Sequence, residues 1–289
     1  MKPAPFDYFR PRSVEEALDL LAEHGPDAKP LAGGQSLIPA MNFRLATPSV
    51  LVDLNEIAGL SGVSAGGNGL QIGGMTRHRA LEQSAVVARD APLVSAAMPF
   101  VAHAAIRTRG TLGGSLAHAD PAAELPAVML ALDGVFTLRS RERSRTVRAA
   151  DFFTGLFSTS LEPGELLTAV TIPHPWARSA CAFEEIARRH GDFALAGAAA
   201  SVAVDESGRC TMARIALLSV ADRPVLAAHA SRVLEGERPT AEAIAEAAAA
   251  VHDIDPPGDI HASSAYRRHL ASILIRRVLE RVFHSLETS

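Results

Sequence analysis

Thiols are scarce. Of 289 residues, only Cys181 and Cys210 carry one, and they lie far apart in sequence. Two isolated thiols cannot by themselves ligate an iron–sulfur cluster or form a structural zinc site. They read instead as small buried hydrophobes or partly exposed thiols, in a soluble, cytoplasmic protein without disulfides. A basic surplus is missing as well. Lys and Arg number 28 against 32 Asp and Glu, a formal net charge of -4. That balance points away from nucleic acid and from a polybasic lipid-binding segment. No apolar run approaches the roughly 18 residues a membrane span needs. "AGAAASVAV" is too short, and "AEAIAEAAAA" is interrupted by Glu242 and Glu246. The opening "MKPAPFDYFRPRS" has no apolar core of the signal-peptide kind.

Familiar catalytic patterns are absent too. His78, His103, His118, His174 and His190 form no H-x-x-x-H or H-E-x-x-H pair. No G-x-S-x-G elbow supports hydrolase chemistry. His190 and Asp192 flank Gly191 in a turn, and read as surface groups more readily than as a catalytic pair. No catalytic or metal-binding residue is assigned.

What is present is a chain that is 48% hydrophobic, ample for a buried core in one or two domains. Ser13-Val14-Glu15-Glu16 is a capping box, followed by an apolar stripe at Ala17, Leu18, Leu21 and Ala22, with Gly25 as the stop. "AKPLA" and "VLVDL" predict strands on either side of a short helix in "SLIPAMNFRL", a small βαβ unit. "GVSAGGNGLQIGG" predicts a hairpin, and "TRHRALEQS" the start of a helix. Asp90–His103 reads as one longer helix bent or split by Pro99, and an apolar helix runs through Leu132. "GVFTLRSRERSRTVRA" predicts a second hairpin, whose alternating arginines read as a solvated face rather than an anion site. "ELLTAVTIP", "AFEEIARR", "LAGAAASVAVD" and "CTMARIALLSV" read as strands, with helices from Val225, Thr240 and Ser263 onward. Strands followed by helices predict an α+β class.

Two glycine-bearing stretches stand out, "LAGGQSL" at Leu31–Leu37 and "TLGGSLAHADPAAELP" at Thr111–Pro126. Glycine pairs allow positive φ and close backbone approach, and successive free N–H groups can form an anion-binding nest. Gln35, Ser36, Thr111 and Ser115 add polar side chains, and Asp120 and Glu124 could accept from ribose hydroxyls or an adenine amine. Neither stretch matches the Rossmann or Walker pattern. A single Gly-Gly is more often a turn, so the residues alone reach only as far as a diphosphate or dinucleotide binder.

Together and in this order, the two stretches resemble the FAD-binding medium subunit of molybdenum hydroxylases, as in aerobic carbon monoxide dehydrogenase and the flavin domain of xanthine dehydrogenase. "FDYFRPRSVEEALDLLAEHG", "LVDLNEI", "RRHGDFALAGAAASV" and "ALLSVADRPVLA" extend the likeness over nearly the whole chain. The resemblance implies a two-part FAD-binding domain of the PCMH/VAO-like kind, in residues 1–55 and 56–175. A C-terminal α+β domain with an antiparallel sheet and helices would follow in 176–289. It implies that Ala32, Gly33, Gly34, Gln35 and Ser36, with neighbours Lys29, Leu31 and Leu37, and Thr111, Leu112, Gly113, Gly114 and Ser115 embrace the FAD diphosphate. Glu124, and less strongly Asp120, would hold the adenosine end. Backbone near Leu167 would lie by the flavin ring, with Phe193 beside the isoalloxazine. His118 is either a flavin contact or an ordinary histidine. Where some relatives carry a lysine, this chain has Glu184, so that contact is not carried over.

The resemblance further implies an oxidoreductase subunit that passes electrons from [2Fe–2S] clusters to an external acceptor. A large molybdenum-cofactor subunit and a small [2Fe–2S] subunit would be its partners, in a dimer of heterotrimers. A self-contained FAD-dependent oxidoreductase of the same fold is the alternative, and a non-redox nucleotide-binding module a third reading.

Overall fold

The computed structural model describes residues 2–251 and 254–288. The first part contains β1 (Asp7–Phe9), α1 (Val14–His24), β2 (Ala28–Leu31), α2 (Leu37–Asn42) and β3 (Val50–Asp53). Its three strands form a parallel sheet in the order β1-β3-β2. The predicted unit β2-α2-β3 is present, but β1 carries no alternation in its three largely exposed residues and went unanticipated. The cap of α1 forms as predicted on one side, with Ser13 Oγ accepting from Glu16 N at 3.0 Å. Glu16 reaches back one residue further, accepting from Arg12 N at 2.9 Å.

The middle part runs through β4 (Val63–Gly66), β5 (Gly69–Gly73), α3 (His78–Gln83), α4 (Ala85–Asp90), α5 (Pro92–Ala97) and α6 (Ala104–Arg107). It continues with α7 (Leu112–His118), α8 (Glu124–Ala131), β6 (Val135–Arg139), β7 (Ser144–Arg148), α9 (Ala149–Phe152), β8 (Phe153–Gly155), β9 (Ser158–Thr159) and β10 (Leu166–Ile172). Both hairpins form, and β10 inserts between them to give the antiparallel order β4-β5-β10-β6-β7. Of the helix expected over Asp90–His103, only α5 forms: it stops at Ala97, just before Pro99, the split that proline allowed, and it starts two residues later than expected. Ala91 leaves helical geometry and Pro92 opens α5, because proline disfavours helical backbone at the residue before it. The arginines of the second hairpin are ion-paired rather than merely solvated. Arg139 meets Glu15 at 2.9 Å and Arg141 meets Asp19 at 3.1 Å, which ties β6–β7 to α1 of the first part. Arg145 holds Glu165 at 2.7 Å.

The last part has β11 (Ser179–Ala187), β12 (Ala194–Val204), β13 (Cys210–Leu218), β14 (Val225–Leu226), α10 (Ala228–Leu234), α11 (Ala241–Ala249) and α12 (Ser264–Glu287). The helix expected from Val225 begins at Ala228, after Val225 and Leu226 pair with β13. The sheet order is β11-β12-β13-β14, antiparallel throughout. Alternate residues point to opposite faces. Ala199, Ala216 and Leu218 join the core of the middle part, whereas Ala198, Ala200, Val202 and Leu217 pack with Leu274 and Val278 of α12. Covered on both faces, β12 is almost entirely buried, which accounts for its run of small apolar residues. Helix α8 lies within the core shared with this sheet, and all eight of its residues are buried. Arg214 of β13 donates to the Leu130 carbonyl near its C-terminal end at 2.9 Å. Cys181 is half-buried and Cys210 buried; burial pushes each thiol up to about 11.

Candidate functional site

A cleft of about 970 Å³ opens where the three parts meet. That is the upper end of the range for small-molecule sites. Lys29, Ala32, Gly33, Gly34, Gln35, Ser36 and Leu37 form one wall. Thr111, Gly113, Gly114, Ser115 and His118 form the facing wall, followed by Asp120 and Glu124. Leu167 and Phe193 line it as well. Two expected residues do not. Leu112 is fully buried in the core of the middle part, and Leu31 ends β2 in register with Asp53, outside the lining.

The first glycine segment is an open backbone. Gly34 has φ +72°, which favours glycine. A Cβ on Gly33 would lie 2.5 Å from the Arg109 carbonyl oxygen and 2.8 Å from Gly110 Cα, so only glycine allows the two chain segments to touch. Among the described residues, no acceptor is found for the backbone N–H groups of Gly34, Gln35, Ser36 and Leu37. Such donors need a partner, and a bound anion can supply it.

The second segment differs from its sequence reading. It is no nest: Leu112–His118 is helical, with Thr111 as its cap. Leu112 N donates to Thr76 O at 3.0 Å, Gly113 N to Gly74 O at 2.8 Å, Gly114 N to Thr111 Oγ1 at 3.1 Å and Ser115 N to Thr111 O at 3.0 Å. These four donors are therefore spent inside the fold. Gly113 is required because a Cβ there would lie 2.7 Å from the Gly74 carbonyl oxygen. Gly74 in turn packs on the Leu167 carbonyl, and Gly74 N donates to Thr168 O at 2.8 Å. The register of β10 on β6 shifts between Leu167 and Ala169 at this point, a bulge that brings β10 backbone to the cleft. What the second segment offers the cleft is a bare surface at Gly114 and the hydroxyl of Ser115.

Electrostatics set the far end. Glu124 opens α8 and is 7% exposed. Burial, with help from the charge of Asp120, pushes its carboxyl up to about 7. Glu185 of β11 is raised to about 8, by burial first and then by Glu124. A buried carboxylate wants donors, and ribose hydroxyls would supply them. Asp120 is partly engaged already, accepting from Ala122 N at 2.9 Å. His118 packs against Phe157 with ring centroids 5.1 Å apart, making an aromatic edge to the cleft. Phe193 is 69% exposed, in the turn between β11 and β12. His78 also lines the cleft; burial lowers it to about 4, so it is neutral at physiological pH.

Sequence reasoning missed Phe157, His78 and Gly74. It also missed two residues behind the first wall, Asn55 and Arg77, although Asn55 lies within the "LVDLNEI" that carried the resemblance. Among the described residues, no group of three His, Cys, Asp or Glu side chains is placed to hold a metal ion, and no helix is long and apolar enough to cross a membrane.

Comparison with known proteins agrees with this architecture. Residues 4–175 match the FAD binding domain in molybdopterin dehydrogenase, and residues 181–282 the CO dehydrogenase flavoprotein C-terminal domain. The chain is 43% identical to the 6-hydroxypseudooxynicotine dehydrogenase complex subunit alpha of Paenarthrobacter nicotinovorans, covering 98% of this chain and 96% of that protein. It is 41% identical to the carbon monoxide dehydrogenase medium chain of Afipia carboxidovorans, over 97% and 98% of the two chains. It superposes on a chain of quinoline 2-oxidoreductase from Pseudomonas putida 86 with a TM-score of 0.93 at 40% identity, covering 99% of both. By identity, coverage and fold, this chain belongs to the FAD-binding medium subunits of the molybdenum hydroxylase family.

Proposed function

We propose that the chain is the electron-transfer subunit of a heterotrimeric molybdenum dehydrogenase, taking electrons from [2Fe–2S] clusters of a small partner subunit and passing them to an external acceptor. The observation that carries this reading is the cleft itself. Unpaired backbone donors, a bare glycine wall and a buried carboxylate converge there, and these suit the diphosphate and ribose of FAD. The fit is good at both ends. Gly34 to Leu37 would donate to the diphosphate, and Glu124 would accept from the ribose.

When bound, FAD supplies the redox chemistry by accepting electron pairs and releasing them singly or together. The chain's residues bind, orient and shield it. Leu167 backbone and Phe193 flank the flavin end, where Phe193 lies open to an approaching partner. His118 and Phe157 narrow the mouth between the two ends. The substrate would be bound by a large molybdenum-cofactor subunit, since medium chains of complexes with very different named substrates remain this similar. A dimer of heterotrimers in the cytoplasm is the assembly we expect.

The test is to purify the native complex through a tag on this chain, record its absorption spectrum and identify the co-purifying chains by mass spectrometry. Flavin bands with a large molybdenum chain and a small iron–sulfur chain are the expected result. A yellow chain that purifies alone and oxidises a substrate without partners would instead establish the self-contained flavin oxidoreductase. A colourless chain that takes up no added FAD would overturn both.

A further inference from the structure

The first glycine segment is held from behind by side chains that do not line the cleft. Asn55 Nδ2 donates to the Ala32 carbonyl at 3.0 Å. Arg77 Nη2 donates to Asn55 Oδ1 at 2.5 Å, and Arg77 Nη1 donates to the Arg109 carbonyl. That carbonyl is the one against which Gly33 packs. Asn55 is itself fixed, since its backbone N donates to Asp53 Oδ1 at 3.0 Å. Tyr8 OH donates to the other Asp53 oxygen, and these hydrogen bonds outweigh burial to hold the Asp53 carboxyl below its usual range. A second amide completes the set, with Gln35 Nε2 donating to the Gly33 carbonyl at 3.1 Å.

The geometry has a direct consequence. In a trans peptide the C=O and the N–H point in opposite directions across one rigid plane. Pinning the Ala32 carbonyl to Asn55 therefore turns the Gly33 N–H away from Asn55. Pinning the Gly33 carbonyl to Gln35 fixes the Gly34 N–H in the same manner. Glycine would otherwise sample many orientations, and ordering it on binding would cost affinity.

We propose that Asn55 and Arg77 are positioning residues of the diphosphate site: the hydrogen bond between them clasps the two cofactor-binding parts together, and their bonds to the Ala32 and Arg109 carbonyls orient the first glycine segment's donors before the cofactor arrives. The proposal rests on the reading that this cleft takes FAD. It assigns the two side chains no contact with the cofactor.

The test uses the full-length chain freed of flavin, with Asn55→Ala, Arg77→Met and Arg77→Lys. FAD binding is followed by flavin fluorescence and ADP binding by competition. Each of the first two variants is expected to bind FAD about tenfold more weakly, the worth of one well-placed hydrogen bond. ADP affinity should fall by a similar factor, because the effect travels with the diphosphate. The double variant should lose less than the product of the two, since Arg77 acts partly through Asn55. Arg77→Lys keeps a donor for the Arg109 carbonyl and should recover part of the loss, which a merely destabilised fold would not do. Thermal melts of the cofactor-free variants report any general loss of fold. FAD binding within twofold of wild type in both Asn55→Ala and Arg77→Met would overturn the proposal. So would a loss of FAD affinity with unchanged ADP affinity, or no recovery in Arg77→Lys. Failure of the wild-type chain itself to bind FAD would instead remove the cofactor reading on which the clasp rests.

Discussion

Gly33-Gly34 and Gly113-Gly114 look alike in one-letter code and face each other across one cleft, yet they do different work. At the first pair, the backbone donors that follow are unpaired and the segment is steadied from outside by Asn55 and from within by its own Gln35. At the second, every donor from Leu112 to Ser115 is paired within the fold, and Gly113 exists because the Gly74 backbone lies against it. A glycine pair thus reports close approach in both cases. Only the hydrogen-bond accounting of the neighbouring N–H groups says whether the approaching body is the protein or something that binds to it.

The comparison can be broken most severely at Gly113. Gly113→Val places a Cβ 2.7 Å from the Gly74 oxygen and 2.9 Å from Gly74 Cα, so α7 must move away from the Gly74 backbone. A loss of about 3 kcal/mol or more is expected by calorimetry or denaturant melts. A variant melting like wild type would refute the packing role. Gly33→Ala should be milder for stability, about 1–3 kcal/mol. It should nonetheless empty the purified chain of FAD, because the two walls are pushed apart at Arg109 and Gly110. Retained FAD would show that the wall spacing is unimportant.

A third effect concerns the carboxylate beyond the second pair. In the folded, cofactor-free chain Glu124 titrates near 7 and Glu185 near 8, against 4.5 for an unperturbed glutamate. Between these values the unfolded chain has lost its protons while the folded chain keeps them. Stability should therefore fall as pH rises from about 4.5 to 8, by roughly 1–3 kcal/mol. Glu185→Gln should flatten the profile, and a profile unchanged in that variant would contradict the raised Glu185 carboxyl. The smallest stability effect is expected at Gly114→Val. Its Cβ meets Thr111 Oγ1 at 2.7 Å, a side-chain atom whose capping bond is worth about 1 kcal/mol. FAD retention should still be lost, since the side chain enters the cleft where Ala32 lies 3.4 Å away, while the C-terminal part stays folded. Normal FAD content in this variant would remove the second segment from the site.

Much of the fold was legible in local patterns. The α1 cap, both hairpins, and the strands β10 to β13 follow from residues within a few positions of one another. The misses have specific causes. β1 is too short and exposed to show alternation, and the helix expected from Asp90 starts only at Pro92, although it does end before Pro99 as that proline allowed. The arginines of β6–β7 gave no hint of their partners because Glu15 and Asp19 lie more than a hundred residues earlier in the chain. The candidate site shows the same split. Its glycines and carboxylates stand in recognisable stretches, whereas Arg77 finds Asn55 across 22 residues and reads as an ordinary surface charge until the chain is folded.

By itself, the sequence determined most of the segments that become helix and strand, which residues could meet a diphosphate, and the family to which the chain belongs. Those are properties of local backbone preference and of side-chain type in order. Tertiary structure alone decided which glycine segment keeps free donors, which carboxyl is pushed toward neutral pH, and which side chains hold the cleft in shape. Hydrogen-bond satisfaction and desolvation depend on atoms brought in from remote parts of the chain, and no local pattern records them.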